Sequence, residues 1–439
     1  MALPHLIEIV PLGMPVHAEI TVPGSKSITN RALILGALGD GETTLRGALW
    51  SEDTQVMVNC LQELGYILNV APDANETGNR TLTIYGKGAP VPRGGTEEQP
   101  MELFVGNAGT AARFLTALVC LGQGAYRLHG TPRMHERPQA ALFEALRELG
   151  YRIASPNNKL PAVIHGTGPH SGKCVVSIGQ SSQFASALML CAGQGGWQIQ
   201  VVGENMEESP YVRMTSELIK VFPGSGGRFQ IEPDASSGSY FWAVSALQLL
   251  RERQPAGSQS LAMDVFKPPV TVAMWPKSDW QPDTAFPRFL RLPLSISRRA
   301  DLGDSIMTAI VMAPFALKPV QFTDLGRLRM QECERVVALR TELTKCGAKV
   351  VEEGDTLTVY PSELHGAGIE TYNDHRMAMC FAILGLKVPG IKIKNPSCVK
   401  KTFPNFFQKL AATPPGGLGA EILSGTTGRV LSGEDLFAE

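Results

Sequence analysis

A short phrase that closes a helix recurs along this chain: LQELGY at 61–66, LRELGY at 146–151 and, more loosely, LTKCGA at 343–348. Each ends an amphipathic run, meets a glycine suited to a left-handed helix cap, and passes into residues of β type. Ahead of the first two phrases, GDGETTLRGAL and GQGAYRLHGTP read as a turn, a short strand and a second turn. The unit is therefore strand, helix, strand. One such unit buries little apolar surface by itself, so several must pack together, which predicts a multi-repeat α/β architecture rather than a bundle or a sandwich.

The chain has 439 residues, more than one hydrophobic core usually supports, and two domains are expected. With 44% hydrophobic and 18% charged residues, its composition is that of a compact globular protein. Two stretches break the repeat. Residues 254–299 are rich in proline and tryptophan and read as loops and short strands, while the tail after Thr413 has the composition of a linker and is expected to fray or to lie on the surface.

The 40 basic and 41 acidic side chains leave a formal charge of -1, so no global field would hold the chain on nucleic acid or an anionic membrane. Apolar runs such as MTAIVMAPFAL stop well short of the roughly 20 residues that cross a bilayer. MALPHLIEIV does not read as a secretory signal, and a cytoplasmic protein is expected. The eight cysteines include no CxxC and the eight histidines no HExxH, so reduced structural thiols and no metal site are expected.

Polar residues precede apolar helical runs at several places. PGSKSITNRALILGAL puts Lys26 and Ser27 ahead of a helix expected from near Ala32, with Arg31 close by; main-chain NH groups there suit an anion, and a plain capped helix suits the sequence equally. It is not a Walker A loop, because Ser25 separates the glycine from the lysine. In LFVGNAGTAARFLTAL, Gly106 and Gly109 would allow close approach to the main chain, or only a tight turn. TPRMHERP sets Arg133 and Arg137 around His135. Ser181, Ser182 and Gln183, and again Asp234, Ser236 and Ser237, are placed to cap helices, with phosphate binding as the rival role for the first set.

In the last third, Asp304 leads into an apolar run, where a helix cap is the plain reading, and Glu332 and Arg335 stand three apart, as neighbours on one helical face would, an ordinary surface ion pair being the plain reading there. Asp374, His375 and Arg376 directly precede a run of Met, Ala and Phe that should be buried. Lys400 and Lys401 read in isolation as a solvated turn.

In this order, PGSKSxxNR, GNAGTAxR, PRMxERP, SSQFASALM, DASSxSYF, DxxMT, ECxR, TYNDHRMAM and KTFP resemble the 5-enolpyruvylshikimate-3-phosphate (EPSP) synthase family from Pro23 to Phe407. The resemblance implies a two-domain enolpyruvyl-transferase fold of α/β class. By the same resemblance each domain would have three βαβαββ repeats, and the active site would lie in the interdomain cleft. Residues 1–25 with 233–439 would form one domain, flexible from about 414, and residues 26–232 the other.

The implied reaction joins phosphoenolpyruvate to shikimate-3-phosphate without metal or organic cofactor, in a monomer. By the same resemblance Lys26, Gly109, Arg133, Gln183, Arg335, Arg376 and Lys401 hold phosphoenolpyruvate. Lys26, Ser27, Arg31, Ser181, Ser182, Gln183, Asp304, Arg327 and Gln331 hold shikimate-3-phosphate. Lys26, Asp304 and Glu332 carry the proton transfers. Two phosphates at roughly -1.5 to -2 each, with two carboxylates, need several converging cations.

The chain departs from the family pattern on the acceptor side. Gln331 stands where a lysine is usual, Arg327 where an asparagine is usual, and Glu208 begins what is elsewhere a Ser-x-Pro-Tyr segment. Compensation of the lost charge by Arg327 is the preferred reading, with a different acceptor or a catalytically silent relative as alternatives. Phe114 follows Arg113 where proline is common in the family. PRMHERP has no cysteine of the kind expected in a carboxyvinyl transferase that uses a sugar nucleotide.

Overall fold

The structure is a computed structural model that describes residues 3–203, 209–249 and 268–438. The chain forms two compact units, one of Pro23–Glu232 and one of Met1–Val22 with Pro233–Glu439.

Inside Pro23–Glu232, the helices Lys26–Leu38, Gly109–Cys120 and Ser182–Gly195 pack on one another. Every residue of Gly109–Cys120 is buried, and a helix apolar on all sides belongs in an interior. Each helix also lies on a sheet of its own. The first sheet has the order Gly227–Gln230, Asp40–Leu49, Asn79–Lys87, Ile67–Pro72. The second runs Met101–Phe104, Gln123–His129, Ala162–Thr167, Arg152–Ala154, and the third is the parallel pair Gly172–Ser177 and Trp197–Val202.

The other unit repeats the plan. Its buried helices Ala235–Leu249, Ile306–Met312 and His375–Gly385 also touch one another. Its sheets are Gly368–Ile369, Ile391–Lys394, Leu6–Ile9, Ile422–Ser424; then Ser295–Ser297, Val320–Thr323, Thr356–Val359, Val350–Glu353; and the parallel pair Ala18–Ile20 with Val270–Val272.

The recurring glycines explain the punctuation. Gly65, Gly150 and Gly347 sit at φ +92°, +91° and +94°, where a Cβ would cost roughly 1–2 kcal/mol. Each therefore ends its helix and turns the chain into the next strand.

Four local expectations change. The first helix begins at Lys26 rather than near Ala32, because Lys26–Arg31, polar but for buried Ile28, already follow helical geometry. GDGETTLRGAL forms one ten-residue strand, its second turn being a bulge with a register shift between Leu45 and Ala48 around Gly47 at φ +67°. The tail is folded, not frayed: Ile422–Ser424 pairs with Leu6–Ile9, and Leu418, Ile422, Leu431 and Leu436 are buried. Its glycines serve turns, Gly419, Gly428 and Gly433 all having positive φ. The proline-rich stretch holds a 3-10 segment at Pro282–Phe289 as well as the short strands Val270–Val272 and Ser295–Ser297; its residues 254–267 lie outside the described residues, as does Glu208.

No helix among the described residues is long and apolar enough to cross a membrane. The eight cysteines are free thiols, all buried except half-buried Cys333.

Candidate active site

Within each unit, most candidate residues lie at or near the N-terminal ends of helices. Helix N-termini present unpaired NH groups and a partial positive charge, so each end favours an anion.

In Pro23–Glu232, Lys26 is the first residue of its helix and its Nζ lies 2.9 Å from Asp53 Oδ2. Ser27 is half-buried, and its carbonyl oxygen accepts from Arg31 Nη1 at 2.9 Å. Buried Arg31 also donates to Thr215 Oγ1 at 2.7 Å and to Ser186 Oγ at 3.1 Å, and lies over the Phe114 ring. Gly109 opens the second helix, and a Cβ built there would come 2.6 Å from Arg137 Nη2 and closer still to Arg113 Nη1. Glycine at that position thus leaves room for two guanidiniums, which a side chain would have to displace.

Arg113 donates to Gln183 Oε1 at 3.1 Å and to the Pro138 carbonyl at 3.0 Å. Ser181 caps the third helix by accepting from Gln183 N at 3.2 Å, and Ser182 beside it is buried. Arg133, about half exposed, is ion-paired with Glu136. Tight internal pairing of Arg31 and Arg113 holds the helix starts at fixed spacing.

In the second unit the charged residues form one connected network. Asp304 accepts at Oδ1 from Arg298 Nη2 at 3.1 Å and from Gln331 Nε2 at 3.2 Å, and its Oδ2 lies 3.1 Å from Arg376 Nη2 and 3.8 Å from Arg335 Nη1. Arg335, 1% exposed, also binds Gln331 Oε1, Glu332 Oε2 at 2.7 Å and Asp374 Oδ2 at 2.7 Å. Glu332 Oε1 in turn meets Lys401 Nζ at 3.1 Å. The network thus joins Asp304, Gln331, Glu332, Arg335, Arg376 and Lys401. Burial pushes the Asp304 carboxyl up, but the guanidiniums of Arg376, Arg335 and Arg298 outweigh it and hold the group well below the usual carboxylate range.

Several roles differ from those expected. Glu332 is not on a helical face, because Glu334 accepts from Val337 N and starts the helix at Arg335; the Glu332–Arg335 pair forms across the helix entrance. Asp304 is not a cap. Asp283 serves there instead, accepting from Gly303 N at 2.8 Å, Ser305 N at 3.2 Å and Ser305 Oγ at 2.5 Å, and from Ser236 Oγ. Burial pushes the Asp283 carboxyl up.

Asp234 and Asp374 do cap, accepting from Ser237 N at 2.7 Å and Arg376 N at 2.8 Å. Lys401 is 8% exposed, not solvated. Arg327 lies in the 3-10 turn Leu325–Met330, and the guanidinium beside Gln331 on Asp304 is that of Arg298.

Sequence reasoning missed Asp53, Asp283 and Arg298. Asp53 had a signal, being an acid in the first turn of a helix that begins at Glu52. The other two come from turn-rich sequence without periodicity.

Two α/β units of helix-on-sheet repeats, with cations and carboxylates at helix starts, define a class of protein suited to small anions. The model of the EPSP synthase (3-phosphoshikimate 1-carboxyvinyltransferase) family matches residues 11–251 and 280–410, and the chain belongs to that family. It is 37% identical over 430 residues to the 3-phosphoshikimate 1-carboxyvinyltransferase of Trichormus variabilis, covering 92% of this chain and 98% of the relative. To that of Vibrio vulnificus it is 36% identical over 422 residues, 90% and 96% of the two chains.

Among solved structures it is similar to the EPSP synthase of Acinetobacter baumannii, with a TM-score of 0.66 at 19% identity over 95% of this chain and 99% of the other. The enolpyruvyl transferase NikO from Streptomyces tendae gives 0.64 at 13% identity, over 99% and 100%. At those identities the likeness is one of fold, the two-domain α/β enolpyruvyl-transferase architecture.

Proposed function

We propose that this chain transfers the enolpyruvyl group of phosphoenolpyruvate to the hydroxyl of shikimate-3-phosphate and releases inorganic phosphate, in the cytoplasm. The observation that carries the reading is the single network in which Arg335, Arg376 and Lys401 share the carboxylates Glu332 and Asp304. Three cations held among acids have the means to exchange those acids for a phosphate and a carboxylate. Two unit charges at 4 Å interact by roughly 4 kcal/mol at an effective dielectric near 20, so binding anions without such cations would be strongly opposed.

The reading assigns residues of both units to one pair of substrates. Lys26, Gly109, Arg133, Gln183, Arg335, Arg376 and Lys401 take phosphoenolpyruvate; Ser27, Arg31, Ser181, Ser182, Arg327 and Gln331 take the acceptor with Lys26, Gln183 and Asp304. A proton must leave the acceptor hydroxyl, another must reach the methylene carbon of phosphoenolpyruvate, and one must then leave the methyl group so formed as phosphate departs. Asp304 and Glu332 perform these transfers, with Lys26 sharing in them and stabilising charge.

Guanidiniums that turn from Asp304 to the incoming anion leave its carboxylate more basic, which suits it to accept the hydroxyl proton. Phosphate release measured with phosphoenolpyruvate and shikimate-3-phosphate tests the reaction. Turnover only with another alcohol would reassign the acceptor, and none with any alcohol would make the chain a silent relative.

A further inference from the structure

We infer that Arg298 is a positioning residue for the reaction, holding Asp304 oriented and ionised after the other two arginines on that carboxylate have turned to substrate. The inference rests on the proposed reaction and concerns a residue to which that proposal gives no role.

Three guanidiniums meet Asp304 among the described residues: Arg298 and, from the ends of two buried or half-buried segments, Arg335 and Arg376. They do not share the carboxylate evenly. Arg376 and Arg335 approach Oδ2, whereas Arg298 Nη2 takes Oδ1 at 3.1 Å. Arg335 and Arg376 are assigned to phosphoenolpyruvate, so a bound ligand draws both away from the Oδ2 side. Arg298 has no such second duty and stays. Its side chain is 4% exposed, and its main-chain NH is fixed to the Thr323 carbonyl at 3.0 Å, immediately after the strand Ser295–Ser297. A buried guanidinium placed this way is preorganised rather than recruited.

The same oxygen also carries Gln331 Nε2 at 3.2 Å. Gln331 is neutral and spends its other amide atom on Arg335. It links the two groups without adding charge. Position 331 thus lies against the oxygen that Arg298 neutralises, and a lysine there would bring an ammonium to the same place. Charge beside Oδ1 comes from residue 298 in this chain, and geometry allows either position to supply it.

Other charged groups that act on Asp304 among the described residues include Glu332, which raises its pKa, and Asp283 of the Pro282–Phe289 segment, which it repels. Both are acids and neither can replace Arg298. Removing a cation beside a carboxylate raises its pKa, so activity that needs ionised Asp304 must fail at a higher pH on acidification. An opposite charge at this distance typically lowers a carboxylate pKa by about 1–3 units, which sets the size of the expected shift.

The test uses the full chain, with kcat, KM for phosphoenolpyruvate and the pH profile of kcat measured for wild type, Arg298→Gln, Arg298→Lys and the double variant Arg298→Gln/Gln331→Lys. Arg298→Gln should move the acid limb of kcat upward by about 1–3 pH units and reduce plateau kcat about tenfold or more, with KM for phosphoenolpyruvate changed less than about threefold. Arg298→Lys should keep the limb of the wild type, and the double variant should bring it back down. A wild-type limb in Arg298→Gln, or a limb left high in the double variant, overturns the inference. Should Arg298→Gln not fold, Arg298→Lys decides: a limb displaced in spite of the retained charge overturns it. A wild type that releases no phosphate at all would instead sink the proposed reaction, and the two failures are separate readings of one assay.

Discussion

Replacing Asp374 should damage both the stability of its unit and the grip on phosphoenolpyruvate. Its carboxylate is fully buried, pairs with Arg335 at 2.7 and 3.2 Å, and caps the helix His375–Gly385 by accepting from Arg376 N. Breaking a buried ion pair from one side typically costs about 3–5 kcal/mol, because the partner charge stays buried. Arg335 keeps Glu332 and Gln331, so the lower end applies, and Asp374→Asn should cost about 3 kcal/mol. Asparagine can still cap.

Alanine cannot, and Asp374→Ala should cost about 1 kcal/mol more. In a unit of about 230 residues, about 3 kcal/mol corresponds to a fall in Tm of roughly 6–12 °C. Urea denaturation followed by circular dichroism, with KM for phosphoenolpyruvate measured alongside, tests the pair. Both variants lying within about 1 kcal/mol of wild type, with unchanged KM, would refute the claim that this carboxylate holds Arg335.

Gly109→Ala should raise KM for phosphoenolpyruvate, because its methyl group would displace the Arg113 and Arg137 guanidiniums; if an overpacking cost of about 1–3 kcal/mol falls on the bound state, the rise is roughly 5- to 150-fold, and an unchanged KM would show that the arginines yield freely. Glu332→Ala should lower kcat by about 10²–10⁴ while KM for phosphoenolpyruvate stays within about threefold, since the acid competes with the ligand for Arg335 and Lys401 rather than binding it. Full turnover in that variant removes Glu332 from proton transfer.

The α/β class was legible because it rests on short-range physics. Gly65, Gly150 and Gly347 each mark a helix end that only a glycine adopts easily, and the phrase around them repeats. The anion-binding character of the helix starts was half legible. Lys26 and Ser181 stand where a cap or a phosphate ligand would stand, and the residues alone favoured neither.

Arg298 and Asp283 were not legible at all. Both lie in turn-rich sequence with no period to place them, and their importance comes from partners on other elements, Asp304 for one and Gly303, Ser305 and Ser236 for the other. Glu332 shows the converse error. A three-residue spacing predicted a helical pair, and the pair exists, but Glu334 caps the helix one turn later than the spacing implied.

Composition also misled at the C-terminus, where a sequence rich in glycine and proline carries a strand that completes a sheet. Ile7, Glu8 and Ile9 pair with Ser424, Leu423 and Ile422, and Val10 N donates to the Glu421 carbonyl at 3.0 Å. The strand is held by its side chains as much as by its ladder, for Ile422 is wholly buried in the same core as Ile7, Ile9 and Ile391. Glycine content reports turns here, and turns are what allow so short a strand to return to the sheet. Ile422→Ala therefore discriminates between the two pictures. A frayed tail would leave stability unaltered, whereas a core isoleucine truncated to alanine costs about 2–5 kcal/mol. Amide exchange should agree, with Leu423 and Glu8, whose amides face each other in the ladder, protected together in wild type and losing protection together in the variant. Exchange at Leu423 as fast as in an unfolded peptide, with stability unchanged by the substitution, would return the tail to the surface.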